Sequence, residues 1–476
     1  MNRMAKWASA LAVILSLAFV AQAHALPVVQ NGDLTMSFGG LIQAMGEMEY
    51  VSDDSIGNKV RAYVWNMADN LYTSGSYKGY AWRLETAFGG VTNPASTANP
   101  NGLLNLLDAY VDVPLIQDGL YLKVGQFKDP TNVESATDKS AMLFTEKSPD
   151  FNLFFNSGYE MGLAFVGHVG GFDSALGIVQ GAPNLPQRYL PEQLYLPLPL
   201  FLRIGYSNGI KDDMFHPRQT GFKTPDQLEY AVHLNGFITA NSDAGHGTLF
   251  SQMGSGISQF DYNQDYNGNV LTSSVFNPYM GVAGTSQPLD ALYYQGDLDF
   301  QIRAPMGNDK TFALQGQAAI GHFGTTVQSG DTGTVLGQNV VAGNSYNLNI
   351  FGAELIASIQ DPVWTWALRL AMVIPDSGFQ GGYNYNSTTK VTTYGQIFAN
   401  TNPIWEVTPA VSYNFNRFVK VTTEVMLMFN APEAQDIDGN YVIAEMPSTA
   451  IGTSYRSSNI AANVVPIGRM MLQVSF

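Results

Sequence analysis

The chain closes on Pro466-Ile-Gly-Arg-Met-Met-Leu-Gln-Val-Ser-Phe476, and from Gly468 onward this stretch alternates. Met470, Leu472, Val474 and Phe476 fall on one side, while Arg469, Met471, Gln473 and Ser475 fall on the other. A β-strand repeats its side-chain direction every two residues, so this is a strand with one apolar face, one polar face and a terminal aromatic residue. The pattern recurs upstream. Tyr80, Trp82, Leu84, Thr86 and Phe88 alternate with Ala81, Arg83, Glu85 and Ala87. Tyr294, Leu298, Phe300 and Ile302 alternate with Gln295, Asp297, Asp299, Gln301 and Arg303. Trp364, Trp366, Leu368, Leu370 and Met372 oppose Thr365, Arg369 and Ala371. In a soluble sandwich the apolar faces form the core, whereas in a membrane barrel they meet lipid and the polar faces line water. The period fits both.

Connection lengths separate the two architectures. Sixteen candidate strands lie near 33–43, 59–72, 78–89, 104–113, 119–127, 157–167, 172–181, 199–208, 228–239, 292–303, 311–323, 346–359, 363–374, 404–415, 418–429 and 466–476. Even numbers suit single-chain bacterial barrels, so fourteen and eighteen also fit the pattern. Short connections at Pro114–Asp118, His168–Gly171, Asp361-Pro362 and Asn416-Arg417 alternate with long ones at 44–58, 90–103, 128–156, 182–198, 240–291, 324–345, 375–403 and 430–465. Turns on one side and loops on the other are the asymmetry of a transmembrane antiparallel up-and-down barrel. One connection breaks the rule. Residues 209–227, on the turn side, exceed a simple turn, so either a strand is missed there or the link has a role of its own. Tyr80, Trp364, Trp405, Tyr413 and Phe476 sit near strand ends, as interfacial girdles would.

Composition agrees with a closed, membrane-embedded all-β fold. There are no cysteines, 47 glycines, 12% aromatic and 13% charged residues, against about 25% charged in average chains. A barrel dispenses with disulfides because closure pairs every strand edge. Arg3 and Lys6, the apolar run Ala8 to Val20 and the small-residue site Ala23-His24-Ala25 form a secretory signal over residues 1–25, leaving 26–476 as the barrel domain. Beyond it no run of 18 apolar residues could form a spanning helix. Without Arg3 and Lys6, 21 basic residues face 39 acidic ones, a net charge of −18 that argues against nucleic acid as a partner. Acidic outer loops fit a cation-bridged lipopolysaccharide surface.

The hairpin Asp108-Ala-Tyr-Val-Asp-Val-Pro-Leu-Ile-Gln-Asp-Gly-Leu-Tyr-Leu-Lys-Val-Gly-Gln-Phe-Lys128 resembles that of the phosphate-selective porin (porin O and P) family. The match falls on Ala109-Tyr110 and on Leu122-Lys123-Val124-Gly125-Gln126-Phe127-Lys128. The closing strand ending in Phe476 resembles the terminal signal by which bacterial outer-membrane barrels engage the barrel assembly machinery. The resemblance covers about twenty residues plus the last strand, and similar hairpins occur in other sixteen-stranded porins. It implies a trimeric, water-filled pore whose third external loop folds inward. That loop is 128–156, carrying Lys128, Asp129, Glu134, Asp138, Lys139, Glu146, Lys147 and Asp150 before the aromatic run Phe151, Phe154 and Phe155.

A phosphate-specific bore needs an excess of fixed cations to replace the anion's hydration. The inward-facing basic residues, Arg61, Arg83, Lys123, Arg203, Arg303, Arg369, Lys420 and Arg469, are nearly balanced by acidic ones. These are Glu85, Asp108, Asp112, Glu160, Glu229, Asp297, Asp299, Glu354, Glu406 and Glu424. The balance points to general diffusion of small hydrophilic solutes, across a transverse field between clusters of opposite sign. For any single one of these residues, a wall-stabilising ion pair away from the constriction is the favoured role. Candidate pore-lining and constriction residues are Arg61, Arg83, Glu85, Asp108, Asp112, Lys123, Lys128, Glu134, Lys139, Glu146, Lys147, Arg203, Asp297, Asp299, Arg303 and Arg369. Two alternatives stand beside this reading: a phosphate- or oxyanion-selective porin, and a structural barrel whose loops, such as the long 240–291, bind an envelope polymer. Asp261, Asn263 and Asp265 have Ca²⁺-like spacing, but Thr272 stands where an EF-hand places its bidentate Glu. None of the histidines outside the leader, His168, His216, His233, His246 and His322, joins a nucleophile in a recognisable motif, so no enzyme activity and no cofactor are expected.

Overall fold

A computed structural model describes residues 29–50, 60–88, 104–116, 119–148, 159–179, 199–210, 212–241, 290–326, 345–374, 403–429 and 464–476, with short strand pieces between 334 and 457. The expected signal at 1–25 lies outside the described residues. Among those described, no helix is long and apolar enough to cross a membrane.

Sixteen long strands form one antiparallel sheet: β1 Leu34–Tyr50, β2 Val60–Tyr77, β3 Tyr80–Phe88, β4 Leu104–Ile116, β5 Leu120–Lys128, β6 Tyr159–Val169, β7 Phe172–Val179 and β8 Leu200–Asn208. The second half is β9 Glu229–Asn241, β10 Asp290–Gly307, β11 Lys310–Thr326, β12 Ser345–Gln360, β13 Trp364–Ile374, β14 Ile404–Asn414, β15 Val419–Phe429 and β16 Val464–Ser475. Every expected strand is present. Strands β1 and β2 run farther than expected, pairing from Leu34↔Tyr77 to Tyr50↔Val60, because Glu47 and Glu49 sit within the ladder instead of opening a loop.

Closure is made by β16 against β1, from Leu41↔Ser475 to Glu49↔Ile467. Two backbone bonds extend it: Gly40 N donates to the Phe476 carbonyl at 2.8 Å, and Phe476 N donates to the Gly40 carbonyl at 3.0 Å. A Cβ on Gly40 would stand 2.4 Å from the Phe476 ring, so the glycine is what lets the terminal aromatic lie across the seam. A three-residue strand, Val29–Asn31, pairs with the start of β1 beyond the reach of β16.

The turn-side hairpins are tight. Lys78-Gly79, Gly170-Gly171 and Asn308-Asp309 all carry positive φ between directly paired strand ends, the backbone of two-residue turns that match strand twist. Asp361 caps the β12–β13 turn by accepting from Val363 N and Trp364 N at 2.8 and 2.6 Å. Beside these turns lies a belt of rings, with Trp364 4.7 Å from Tyr413 and Phe172 5.4 Å from Tyr206 between centroids.

Burial decides between sandwich and membrane barrel. Trp366 is 59% exposed, while Arg369 three residues on is fully buried. Leu84, Phe165, Phe172, Leu234, Leu298 and Leu368 are exposed; Glu85, Arg203, Asp299, Glu354, Glu406 and Arg469 are buried. The polar face is therefore inside a closed cylinder and the apolar face outside, which only a lipid surround makes favourable.

Candidate functional site

Gly125, in the middle of the hairpin motif, has φ +131, and a Cβ there would come within 2.2 Å of the Ala109 carbonyl. The motif glycine thus answers a backbone constraint, with inward Lys123 on one side of it and inward Phe127 on the other. Lys123 pairs with Asp112 at 3.0 Å and sits 3.3 Å above the Tyr110 ring. The strand ends at Lys128, and residues 129–148 are bonded to buried side chains of β1, β8, β13, β14, β15 and β16.

Those contacts are many. The Pro130 carbonyl accepts from Arg203 (2.9 Å), which also pairs with Asp299 (2.8 Å). A single helical turn, Val133–Ala136, brings Glu134 to within 3.3 Å of Arg369 on β13. Arg369 also binds Glu406 at 2.6 Å, donates to the Glu146 carbonyl at 2.8 Å and lies 4.4 Å over the Phe144 ring. Leu143 and Phe144 join Ile356 and Ala410 in a small apolar patch. Thr145 donates through backbone and hydroxyl to Glu424 (2.8 and 2.6 Å), and the Ser148 hydroxyl donates to Glu406 at 2.7 Å. Arg469 of β16 gathers Glu47 (2.6 Å), Glu146 (3.2 Å) and Glu424 (3.6 Å). The carbonyls of Lys139, Ser140 and Met142 accept from Gln43, Gln473 and Lys420 at 3.2, 3.0 and 3.0 Å.

The link at 209–227 contains no strand among its described residues. It turns into the cylinder and meets 129–148 there. Gln219 N and Thr220 N donate to the Ala141 carbonyl at 3.1 and 3.0 Å, and Leu143 N donates to Gln219 Oε1 at 3.0 Å. His216 Nδ1 lies 3.1 Å from Asp138, and its Nε2 lies 3.6 Å from Asp108. Asp212 pairs with Arg303.

The candidate residues thus sort clearly. Arg83, Glu85, Asp108 and, through Asp138, the 129–148 segment meet in one cluster, with Arg83 3.3 Å from Asp108 and 3.7 Å from Asp138. Glu134, Glu146 and Arg369 meet in a second. Arg203, Asp297 and Asp299 meet in a third, bridged by Asn235, which donates to both carboxylates. Arg303 is engaged by the 209–227 link, and Lys128 is buried with its ammonium 5.0 Å over Tyr159. Lys139 is exposed and Lys147 half-buried. The side chains of Arg61 and Glu160, the residues Asp150, Phe151, Phe154 and Phe155, and the calcium candidates Asp261, Asn263 and Asp265 lie outside what the structure describes. The expected transverse field of segregated charge is not what these ion pairs form. Basic and acidic residues interleave, each described wall arginine having a carboxylate within 4.0 Å.

Sequence reasoning missed Glu47, Asp212, Phe215, His216 and Gln219. Glu47 was legible from register, opposite Arg469 on the closing strand. The other four belong to a link whose only signal was its length. Titration in the two inserted segments follows their setting. Burial raises the Glu146 carboxyl to about 7, with Glu47 and Glu424 adding to the rise and Arg469 opposing it. Burial raises Asp129 to about 6 against its hydrogen bonds from Thr131. Burial would lower His216, but Asp138 and Asp108 outweigh it and hold the imidazole above its ordinary value.

Residues 70–179 match the model of the phosphate-selective porin O and P family. That stretch runs from the end of β2 to the end of β7 and contains both the hairpin and the 129–148 segment. No curated protein matches the chain. Among solved structures, OprB of Pseudomonas putida is 10% identical with a TM-score of 0.51, covering 93% of this chain and 94% of that one. The anion-selective porin from Comamonas acidovorans is 11% identical with a TM-score of 0.50, covering 93% of this chain and all of that one. At such identities the likeness is one of fold.

Proposed function

We propose that this chain is an outer-membrane porin through which small hydrophilic solutes and ions pass down their gradients. The carrying observation is the inverted cylinder: arginines and carboxylates buried inside, tryptophan and phenylalanine outside. Fold and family match point to a channel rather than an enzyme. Residues 129–148 are the inward-folded third external loop, and their contacts with the polar wall support that reading. The passage beside them would be bordered by side chains that keep exposure there: Lys139 and Ser140, with half-buried Arg83, Asp138, Glu146 and Lys147. Neutralisation of each described wall arginine by a carboxylate favours general diffusion over a phosphate-specific bore. In the same reading residues 1–25 are the export signal, and the strand ending at Phe476 is offered to the barrel assembly machinery. Protomers associate as trimers through the lipid-facing wall, and acidic loops meet lipopolysaccharide.

Liposome swelling tests this. Vesicles carrying the purified protein should admit neutral sugars at rates falling with solute size, and phosphate should not slow them. Saturable inhibition by phosphate would move the assignment to an oxyanion-selective porin, and impermeable vesicles would favour the structural barrel.

A further inference from the structure

The link at 209–227 is the one turn-side connection that the porin reading leaves without a task. Its neighbours on that side are two-residue turns, so strand geometry does not require its length. Its interior is held as firmly as a core. Phe215 is fully buried in a pocket of inward-facing rings, 5.5 Å from Phe127 and 6.5 Å from Phe201 in edge-on contact. The Phe215 N–H is tied to Asp213 Oδ1 at 3.0 Å, and Arg218 N donates to Asp212 at 3.2 Å. The Gln219 carbonyl accepts from Gln360 on β12 at 2.8 Å, while the Arg303 guanidinium lies 4.0 Å over Phe222. The link is thereby fixed to β5, β8, β10 and β12 on the inner wall.

What it presents from this anchorage is directed at the middle of the 129–148 segment. The Ala141 carbonyl, the Leu143 N–H and the Asp138 carboxylate are satisfied by Gln219, Thr220 and His216. Without the link, the Ala141 carbonyl and the Leu143 N–H would lose these partners, and the Asp138 carboxylate would keep Arg83, 3.7 Å away, but not His216.

We infer that residues 209–227 are the turn-side half of the constriction, a strut reaching up from the periplasmic end to hold the inward loop at Asp138–Leu143 and so to set the width of the passage. This rests on the porin reading. His216 and Gln219 act as positioning residues: they touch the loop and leave the solute to it.

Two experiments test the strut. In the first, residues 210–226 are replaced by Asn-Gly and single-channel conductance is measured in planar bilayers, with retention of the heat-modifiable electrophoretic shift as the sign of a folded barrel. Conductance should rise several-fold and the open-channel current should become noisy as the loop loses its support. Gln219→Ala should give the noise with a smaller rise. A folded, excised barrel with wild-type conductance and noise would overturn the inference. The second uses the absence of native cysteine. Ser140→Cys combined with Thr220→Cys, in the full chain in native outer membranes, should be joined by a short thiol crosslinker, whereas Ser140→Cys with Lys310→Cys should not. No crosslink between 140 and 220 would overturn the strut even if the excised barrel failed to fold. Wild-type protein that carries no current, alongside a Ser140→Cys, Thr220→Cys protein that does crosslink, would refute the porin reading and leave the docked link standing.

Discussion

Arg369 ties residues 129–148 to the wall through three contacts, and Arg369→Met is the substitution that tests how much they contribute. The side chain is fully buried and satisfies Glu406 on the wall, Glu134 on the segment's helical turn and the Glu146 carbonyl. Methionine preserves most of the volume and the contact with Phe144 but leaves two carboxylates facing each other without a cation. Removing one partner of a buried pair costs about 3–5 kcal/mol, and at ~1.4 kcal/mol per decade that is roughly a hundred- to several-thousand-fold increase in the undocked population. Limited trypsinolysis of folded protein in detergent reads the population directly, because Lys139 and Lys147 lie in the segment and cleavage there follows transient opening. The variant should be cut at these lysines at least about a hundred times faster than wild type. Adding Glu134→Gln and Glu406→Gln should restore most of the protection, as coupled partners require. Equal cleavage rates in wild type and Arg369→Met would refute the claim that this ion pair holds the segment.

Other consequences follow from the same contacts. His216 has a folded value above its unfolded one, so its stabilisation is complete below about pH 6.5 and is lost as pH rises through the folded value. The groups facing it are Asp138, Asp108, Tyr110 and Arg83, and open-channel noise should grow with pH in wild type but not in His216→Gln. Glu146 titrates near 7, so reversal potentials in a salt gradient should shift toward cation preference between pH 6 and 8, and Glu146→Gln should flatten that shift. Phe215→Ala removes a fully buried ring, a change that costs about 3–5 kcal/mol in packed cores; it should reproduce the noise of the strut deletion without disturbing the barrel's electrophoretic shift. Gly40→Val places side-chain atoms in the space of the Phe476 ring, so the closing seam should assemble slowly and the heat-modifiable form should melt at lower temperature.

The wall was legible in the sequence because a half-lipid, half-water strand writes its period into every second residue. Trp364 through Met372 announced both β13 and the direction of Arg369. The limits of β1 were less legible: Glu47 and Glu49 read as loop residues until Arg469 supplied a reason for a carboxylate inside the ladder. Strand direction also predicted that Arg203, Asp297, Asp299, Arg303 and Arg369 turn to the buried face, but not who pairs with whom. The partners of Arg369 lie 235 and 37 residues away. The strut was legible only as an excess of length. Phe215, His216 and Gln219 follow no period, because irregular backbone takes its conformation from distant contacts, here with Phe127, Asp138 and Ala141.

In a porin, water fills the interior of this cylinder and connects its two ends. Planar-bilayer recording of the purified, detergent-folded protein measures that continuity. Stepwise, ohmic conductance with weak ion preference, unsaturated by phosphate, is the expected result. A correctly folded barrel that inserts into the bilayer and carries no current would contradict it.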